Sequence, residues 1–239
     1  MEKNKYTKTK KIKRKKLKLG RVLVFVCLII IGIITYCFYD KIYIRDITII
    51  GNKNVKTSTI LKEANLDRKI SFLGEEKKIC KNIMKNPFIK SCTIKHKANL
   101  TLEVSLKELK PLFYYSDQEK LVLNNGKMID SENTYGVPTL INYVPKDVLD
   151  EFIKSFSKIK YNTIKTISDI EYTPSKNKKD EIIDDKRFML SMNDENTIYI
   201  NNKHLYLLNS YDRIYSGINA SKGTFNFDCD YNNYFFEPY

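Results

Sequence analysis

The 239-residue chain predicts an α+β protein carried behind a single transmembrane helix. Three observations predict it. Residues 22–39 contain no charge and lie between Arg21 and Asp40. Residues 42–108 switch between strand-like and helix-like apolar spacing, in the order strand, helix, helix, strand, strand. Residues 112–239 read mostly as short strands, with two helical stretches, so a second and mostly antiparallel unit follows the first.

The charge distribution orders the chain before any fold does. Lys and Arg total 42 against 28 Asp and Glu, a net of +14. Residues 1–21 hold nine Lys, Arg14 and Arg21 against the single acid Glu2, a net of +10. The other 218 residues are left with only +4. A basic globular nucleic-acid binder is therefore not the reading, because the excess sits in a tail. The 18 uncharged residues VLVFVCLIIIGIITYCFY span roughly 27 Å as a helix, enough for a hydrocarbon core. A cleaved signal peptide fits less well: the basic prefix is long, and Thr35-Tyr36-Cys37-Phe38-Tyr39 is too bulky for a small-x-small cleavage site. Basic residues beside a membrane helix stay on the cytoplasmic side. The expected arrangement is a cytoplasmic N-terminus and an extracytoplasmic C-terminus.

Beyond the anchor, the alternation of Ile47 with Ile49 predicts a strand across about 42–50, closed by the turn pair Gly51-Asn52. Thr57 or Ser58 is placed to cap a helix with Ile60, Leu61 and Ala64 on one face. Ile79, Cys80, Ile83 and Met84 give a second helix over about 75–85, which Asn86-Pro87 ends. Strands at about 88–96 and 100–108 follow, the second with Leu100, Leu102, Val104 and Leu106 facing one way. After Lys110-Pro111, Leu121–Leu123 and Lys127–Asp130 flank Asn124-Asn125-Gly126 as a hairpin. Pro145 precedes an amphipathic helix with Val148, Leu149, Phe152, Ile153, Phe156 and Ile159 on one stripe. Strands are expected at 167–172, 187–193 and 197–201, with 174–186 a polar loop. A helix is expected within Leu205–Ile218, and a final strand at Gly223–Asp228.

The inventory for chemistry is thin. Cys27 and Cys37 fall in the apolar run. Cys80, Cys92 and Cys229 match no zinc spacing and no disulfide framework, though one bridge among them is open. Cys92 takes a small-residue packing position in its strand. His96 sits between Lys95 and Lys97 at a strand end, and His204 opens a helix beside Lys203; both read as surface or structural. Asp228 and Asp230 are two oxygen ligands where a cation needs more. No phosphate or dinucleotide loop stands among the eight glycines. No catalytic residue, metal or cofactor is expected, nor a small-molecule substrate or nucleic acid.

The ordered set of motifs resembles a known family. Ile42-x-Ile44-x-x-Ile47-x-Ile49-x-Gly51-Asn52 after a basic tail and one anchor is similar to the start of a POTRA domain of the FtsQ/DivIB type. Asn86-Pro87-Phe88-Ile89, Leu102-x-Val104-x-Leu106-x-Glu108-Leu109-Lys110-Pro111, Asn125-Gly126, Val137-Pro138-Thr139-Leu140 and Gly223-Thr224-Phe225-Asn226-Phe227 are similar to further family segments. Asn226 stands where the family usually has Asp, and Asp228 where a basic residue is common.

The resemblance implies a basic tail at 1–21, a transmembrane helix at 22–39, a POTRA domain at 40–109 and a second β domain at 110–239. It also implies a non-enzymatic division scaffold at the septum of the bacterial cell membrane. Such a scaffold binds FtsB/DivIC-like and FtsL-like bitopic partners and helps couple septum formation to cell-wall synthesis. The partner strand would add at the last strand, where backbone groups supply hydrogen bonds and neighbouring side chains supply specificity. The residues expected to carry this are Thr224, Phe225, Asn226, Phe227, Tyr231, Tyr234, Phe235 and Phe236. Core packing is the competing role for Phe225 and Phe227, and self-packing for Tyr234, Phe235 and Phe236. A POTRA chaperone or secretion subunit and an extracytoplasmic sensor are the alternative functions.

Overall fold

A computed structural model describes residues 19–39, 43–66, 70–71, 74–218, 222–229 and 234–239. Helix α1 (Leu19–Tyr39) is the apolar run, and residues 20–38 of it are long and apolar enough to cross a membrane. Its side chains are exposed along that length, as suits a helix whose surroundings would be lipid.

The first folded unit contains strand β1 (Asp46–Ile50), helices α2 (Thr57–Glu63) and α3 (Glu76–Ile83), and strands β2 (Ile89–Lys97) and β3 (Thr101–Glu108). The sheet order is β1-β3-β2, with β1 parallel and β2 antiparallel to β3. One face of β3 buries Leu102, Val104 and Leu106 in the same core as Ile60, Ala64, Ile79 and Ile83 from the two helices. Residues 101, 103 and 105 of β3 point the other way and are half-buried. The amphipathic spacing read from the sequence thus sets a single helix-covered face. Leu100 departs from the expected alternation: it lies in the β2–β3 turn with φ +60° and is exposed.

A backbone clamp closes this unit. Gly51 has φ +89°, and a Cβ there would collide with the carbonyl oxygen of Leu106. That close approach leaves glycine as the fitting residue. The Glu108 carboxylate then accepts hydrogen bonds from the backbone N–H groups of Lys53, Asn54 and Val55, at 3.0, 2.8 and 3.1 Å. The Gly-Asn pair and the Glu near the end of β3 are therefore two halves of one loop closure. Cys80 of α3 and Cys92 of β2 form a disulfide. The sequence left one bridge open without placing it.

The second unit adds β4 (Pro111–Tyr115), β5 (Lys120–Leu123), β6 (Met128–Ile129), β7 (Thr139–Leu140), α4 (Lys146–Phe156), α5 (Tyr161–Ile164), β8 (Ile167–Tyr172), β9 (Ser175–Lys176), β10 (Ile182–Asp184), β11 (Arg187–Met192), β12 (Thr197–Asn201), α6 (Tyr211–Ser216), β13 (Gly223–Asn226) and β14 (Phe235–Pro238). Nine of these strands form one sheet in the order β14-β13-β12-β11-β8-β7-β4-β5-β6. Five of its neighbour pairs are antiparallel and three parallel. The apolar stripe of α4 lies on this sheet: Phe152 stacks on Phe188 at 4.2 Å and meets Phe113 edge-on at 5.8 Å. Offset and edge-to-face aromatic pairs of this kind add to the area they bury.

Two local readings change. The expected loop 174–186 contains the short hairpin β9–β10. The expected helix within 205–218 is a 3-10 stretch at Leu205–Ser210 running into α6. This helical crossover returns the chain so that β13 lies parallel to β12, since parallel neighbours need such a connection.

Candidate partner-binding edge

The C-terminal edge of the large sheet is built from β12, β13 and β14. Strand β13 pairs with β12 through Thr197–Thr224, Ile198–Phe225 and Tyr199–Asn226. On its other side it pairs antiparallel with β14: Gly223–Pro238, Thr224–Glu237, Phe225–Phe236 and Asn226–Phe235. The expectation that Thr224–Asp228 is the outermost strand is corrected here. Strand β13 has a neighbour on both sides, and β14 is the edge. The sequence hid β14 because Tyr-Phe-Phe-Glu-Pro-Tyr has no clean alternation and contains proline, which is tolerated at an edge.

A buried polar cluster fixes the start of β13. The Asn196 side chain is nearly inaccessible, accepts from the Gly223 amide at 2.9 Å and donates to the Tyr211 hydroxyl at 2.9 Å. Tyr211 in turn donates to Asp194 at 2.8 Å. Burial first, and then the Asp194 carboxylate, push the Tyr211 phenol well above its ordinary pKa of 10.0. At the other end, Asp228 accepts from the Arg187 guanidinium at 2.6 Å, and that guanidinium lies 4.0 Å from the centre of the Tyr199 ring. The acid at 228 thus has a basic partner in β11, on the far side of β12.

Gly223 has a second constraint. A Cβ there would strike the Glu237 carbonyl oxygen and stand 2.6 Å from Cζ of Phe236. The missing side chain lets β14 seat closely, with the Phe236 ring 4.7 Å from Phe225. Beyond the strand, the Tyr239 amide donates to the Lys222 carbonyl at 3.0 Å, and the Tyr239 and Thr197 hydroxyls are 2.8 Å apart.

The sequence model described as "POTRA domain, FtsQ-type" matches residues 43–108. The chain is also 25% identical over 192 residues to cell division protein DivIB of Pediococcus pentosaceus, covering 76% of this chain and 50% of that protein. It is 24% identical over 203 residues to DivIB of Listeria monocytogenes, covering 82% of this chain and 73% of the relative. Residues 43–108 thus match the FtsQ-type POTRA domain, and most of the chain is similar to proteins named cell division protein DivIB. The chain spans half the length of the Pediococcus relative. A solved structure of the major extracytoplasmic domain of DivIB from Geobacillus stearothermophilus aligns at 19% identity with a TM-score of 0.37, over 47% of this chain and 95% of that one.

In this chain the residues expected at the partner site divide by burial. Phe225 and Phe227 are fully buried and serve the core, Phe225 meeting Tyr211 and Tyr215 edge-on. Asn226 is also buried and Thr224 half-buried. Tyr234 and Phe235 are exposed, and Phe236 packs partly against the core. Tyr231 and Asp230 lie outside the described residues. His96 is paired with Glu76 at 2.6 Å, and Glu76 is held below its ordinary pKa by its own backbone amide and then by His96. His204 is buried rather than solvated, with Nδ1 lacking a hydrogen-bond partner. Among the described residues no group of three or more His, Cys, Asp or Glu is arranged to hold a metal.

Proposed function

We propose that this chain is a single-pass, non-enzymatic scaffold of the bacterial division machinery. Its basic tail lies in the cytoplasm and α1 crosses the membrane. A POTRA domain over 40–109 and a β domain over 110–239 stand outside. FtsB/DivIC-like and FtsL-like bitopic proteins bind at the C-terminal edge of the large sheet by strand addition, at the septum, and the assembly couples septum formation to cell-wall synthesis. The observation that carries this reading is the sheet edge itself: a terminal strand ladder flanked by aromatic side chains, in a chain that aligns with proteins named cell division protein DivIB. The charge asymmetry around α1 supports the orientation. The Cys80–Cys92 disulfide supports it too, since such bonds persist in oxidising compartments.

The test is co-purification of the full chain, in detergent, with the host's FtsB/DivIC-like and FtsL-like proteins. Stable capture of both is expected. A chain that retains its fold and captures neither would remove the scaffold reading.

A further inference from the structure

We propose that β14 is an internal stand-in for an incoming strand, and that the partner reaches β13 by displacing it. This rests on the partner reading above and names the surface and the strand chemistry that it needs.

The outer side of β14 is a poor acceptor. Backbone groups of an edge strand alternate between its neighbour and the open side. The Tyr239 amide points inward to Lys222, so position 238 belongs to the outward set. Position 238 is proline, which has no N–H to offer. Within Phe235–Pro238 this leaves Phe236 as the outward amide, on a four-residue strand that ends Glu-Pro. Short length, charge and proline are the devices that stop a sheet edge from recruiting another strand. A partner strand therefore gains little by adding outside β14.

The inner edge has the opposite character. Gly223 is open to close backbone approach. Asn196 fixes its amide, and Arg187 holds Asp228 beyond the strand's other end. The core anchors this ladder through the buried rings of Phe225 and Phe227. Strand β14 is attached more lightly. Phe235, Glu237, Pro238 and Tyr239 are all exposed, and the Phe236 ring is its one partly buried apolar anchor.

The incoming segment is defined by what it replaces. It is extended and antiparallel to β13. It carries one large apolar side chain to take the place of Phe236 beside Phe225. Its backbone carbonyl sits where that of Glu237 sits, against the bare Cα of Gly223. A hydroxyl two residues further on, in the place of Tyr239, would meet Thr197.

The experiment uses the full chain in detergent and a chain ending at Tyr234. The probes are a fluorescein-labelled peptide of sequence YFFEPY (residues 234–239) and the extracytoplasmic segments of the FtsB/DivIC-like and FtsL-like proteins. The shortened chain should bind the peptide, the full chain should not, and Gly223→Val in the shortened chain should abolish binding. The partner segment should bind the shortened chain about tenfold or more tightly than the full chain, since the binding-competent fraction is no longer limited by β14. Phe236→Ala in the full-length protein should move partner affinity the same way and carries the test if the shortened chain fails to fold. Equal or weaker partner binding to the altered chain, or a folded shortened chain that ignores the peptide, overturns the proposal. Peptide binding without partner binding by any form overturns the division-partner reading and leaves the strand-accepting edge standing.

Discussion

Cys80 of α3 and Cys92 of β2 are covalently joined, with Cα atoms 5.5 Å apart. The bond ties the second helix of the first unit to the outer strand of its sheet. Ile79 and Ile83 already press α3 onto that sheet, so the bond restrains a contact the core makes anyway.

Replacing both cysteines by serine should lower the stability of this unit by about 3 kcal/mol. That is the unfolded-state entropy removed by closing a loop of 12 residues. Denaturant unfolding of the pair variant against wild type, with and without reductant, measures it. Coincident curves would show the bond adds nothing. Partner capture at low temperature should be unaffected.

Phe227 and Phe235 should separate core from surface. Phe227→Ala empties a fully buried aromatic site and should cost about 3–5 kcal/mol. Phe235 is about half exposed, and Phe235→Ala should stay within about 0.5 kcal/mol. Thermal melts of the two variants give the comparison. A larger loss at Phe235 than at Phe227 would contradict the burial seen here. Phe227 is accordingly a poor position at which to probe partner contact, because any loss of binding would report unfolding.

Glu108→Ala removes the acceptor of three backbone amides in the loop after Gly51. The group is only partly buried, so solvent screens it, and water replaces some of what is lost. A destabilisation of about 2 kcal/mol is expected, with Glu108→Gln intermediate. Hydrogen exchange of the amides of residues 53–55 should accelerate. Unchanged protection at those three positions would mean the carboxylate does not hold the loop.

Tyr211 makes stability depend on pH on the alkaline side. Its folded-state pKa lies above the ordinary 10.0, so the folded state keeps a proton that the unfolded chain releases. The stabilisation is fully present below pH 10 and is lost as pH rises above it. Tyr211→Phe should flatten this dependence between pH 9 and 11. It should also cost about 1–3 kcal/mol at neutral pH, because Asn196 and Asp194 each lose one hydrogen bond. Parallel alkaline slopes in the two proteins would refute the assignment.

By itself the sequence determined the basic tail, the apolar helix and the order of elements through the first unit. These are local properties: uncharged length, helical spacing in Ile79 and Ile83, and alternation in Leu102, Val104 and Leu106. It also determined the stripe of α4 and the core role open to Phe225 and Phe227. Only the tertiary structure decided which chain segment forms the last edge. Strand β14 exists because β13 offers a ladder and Gly223 leaves room for Phe236, and neither condition is visible in Phe235–Pro238. The same holds for the Cys80–Cys92 pairing and for the burial of Asn196 and His204. Local periodicity reports which face of an element is apolar. It cannot report which distant segment will meet that element, because that contact is set by the packing of the whole core.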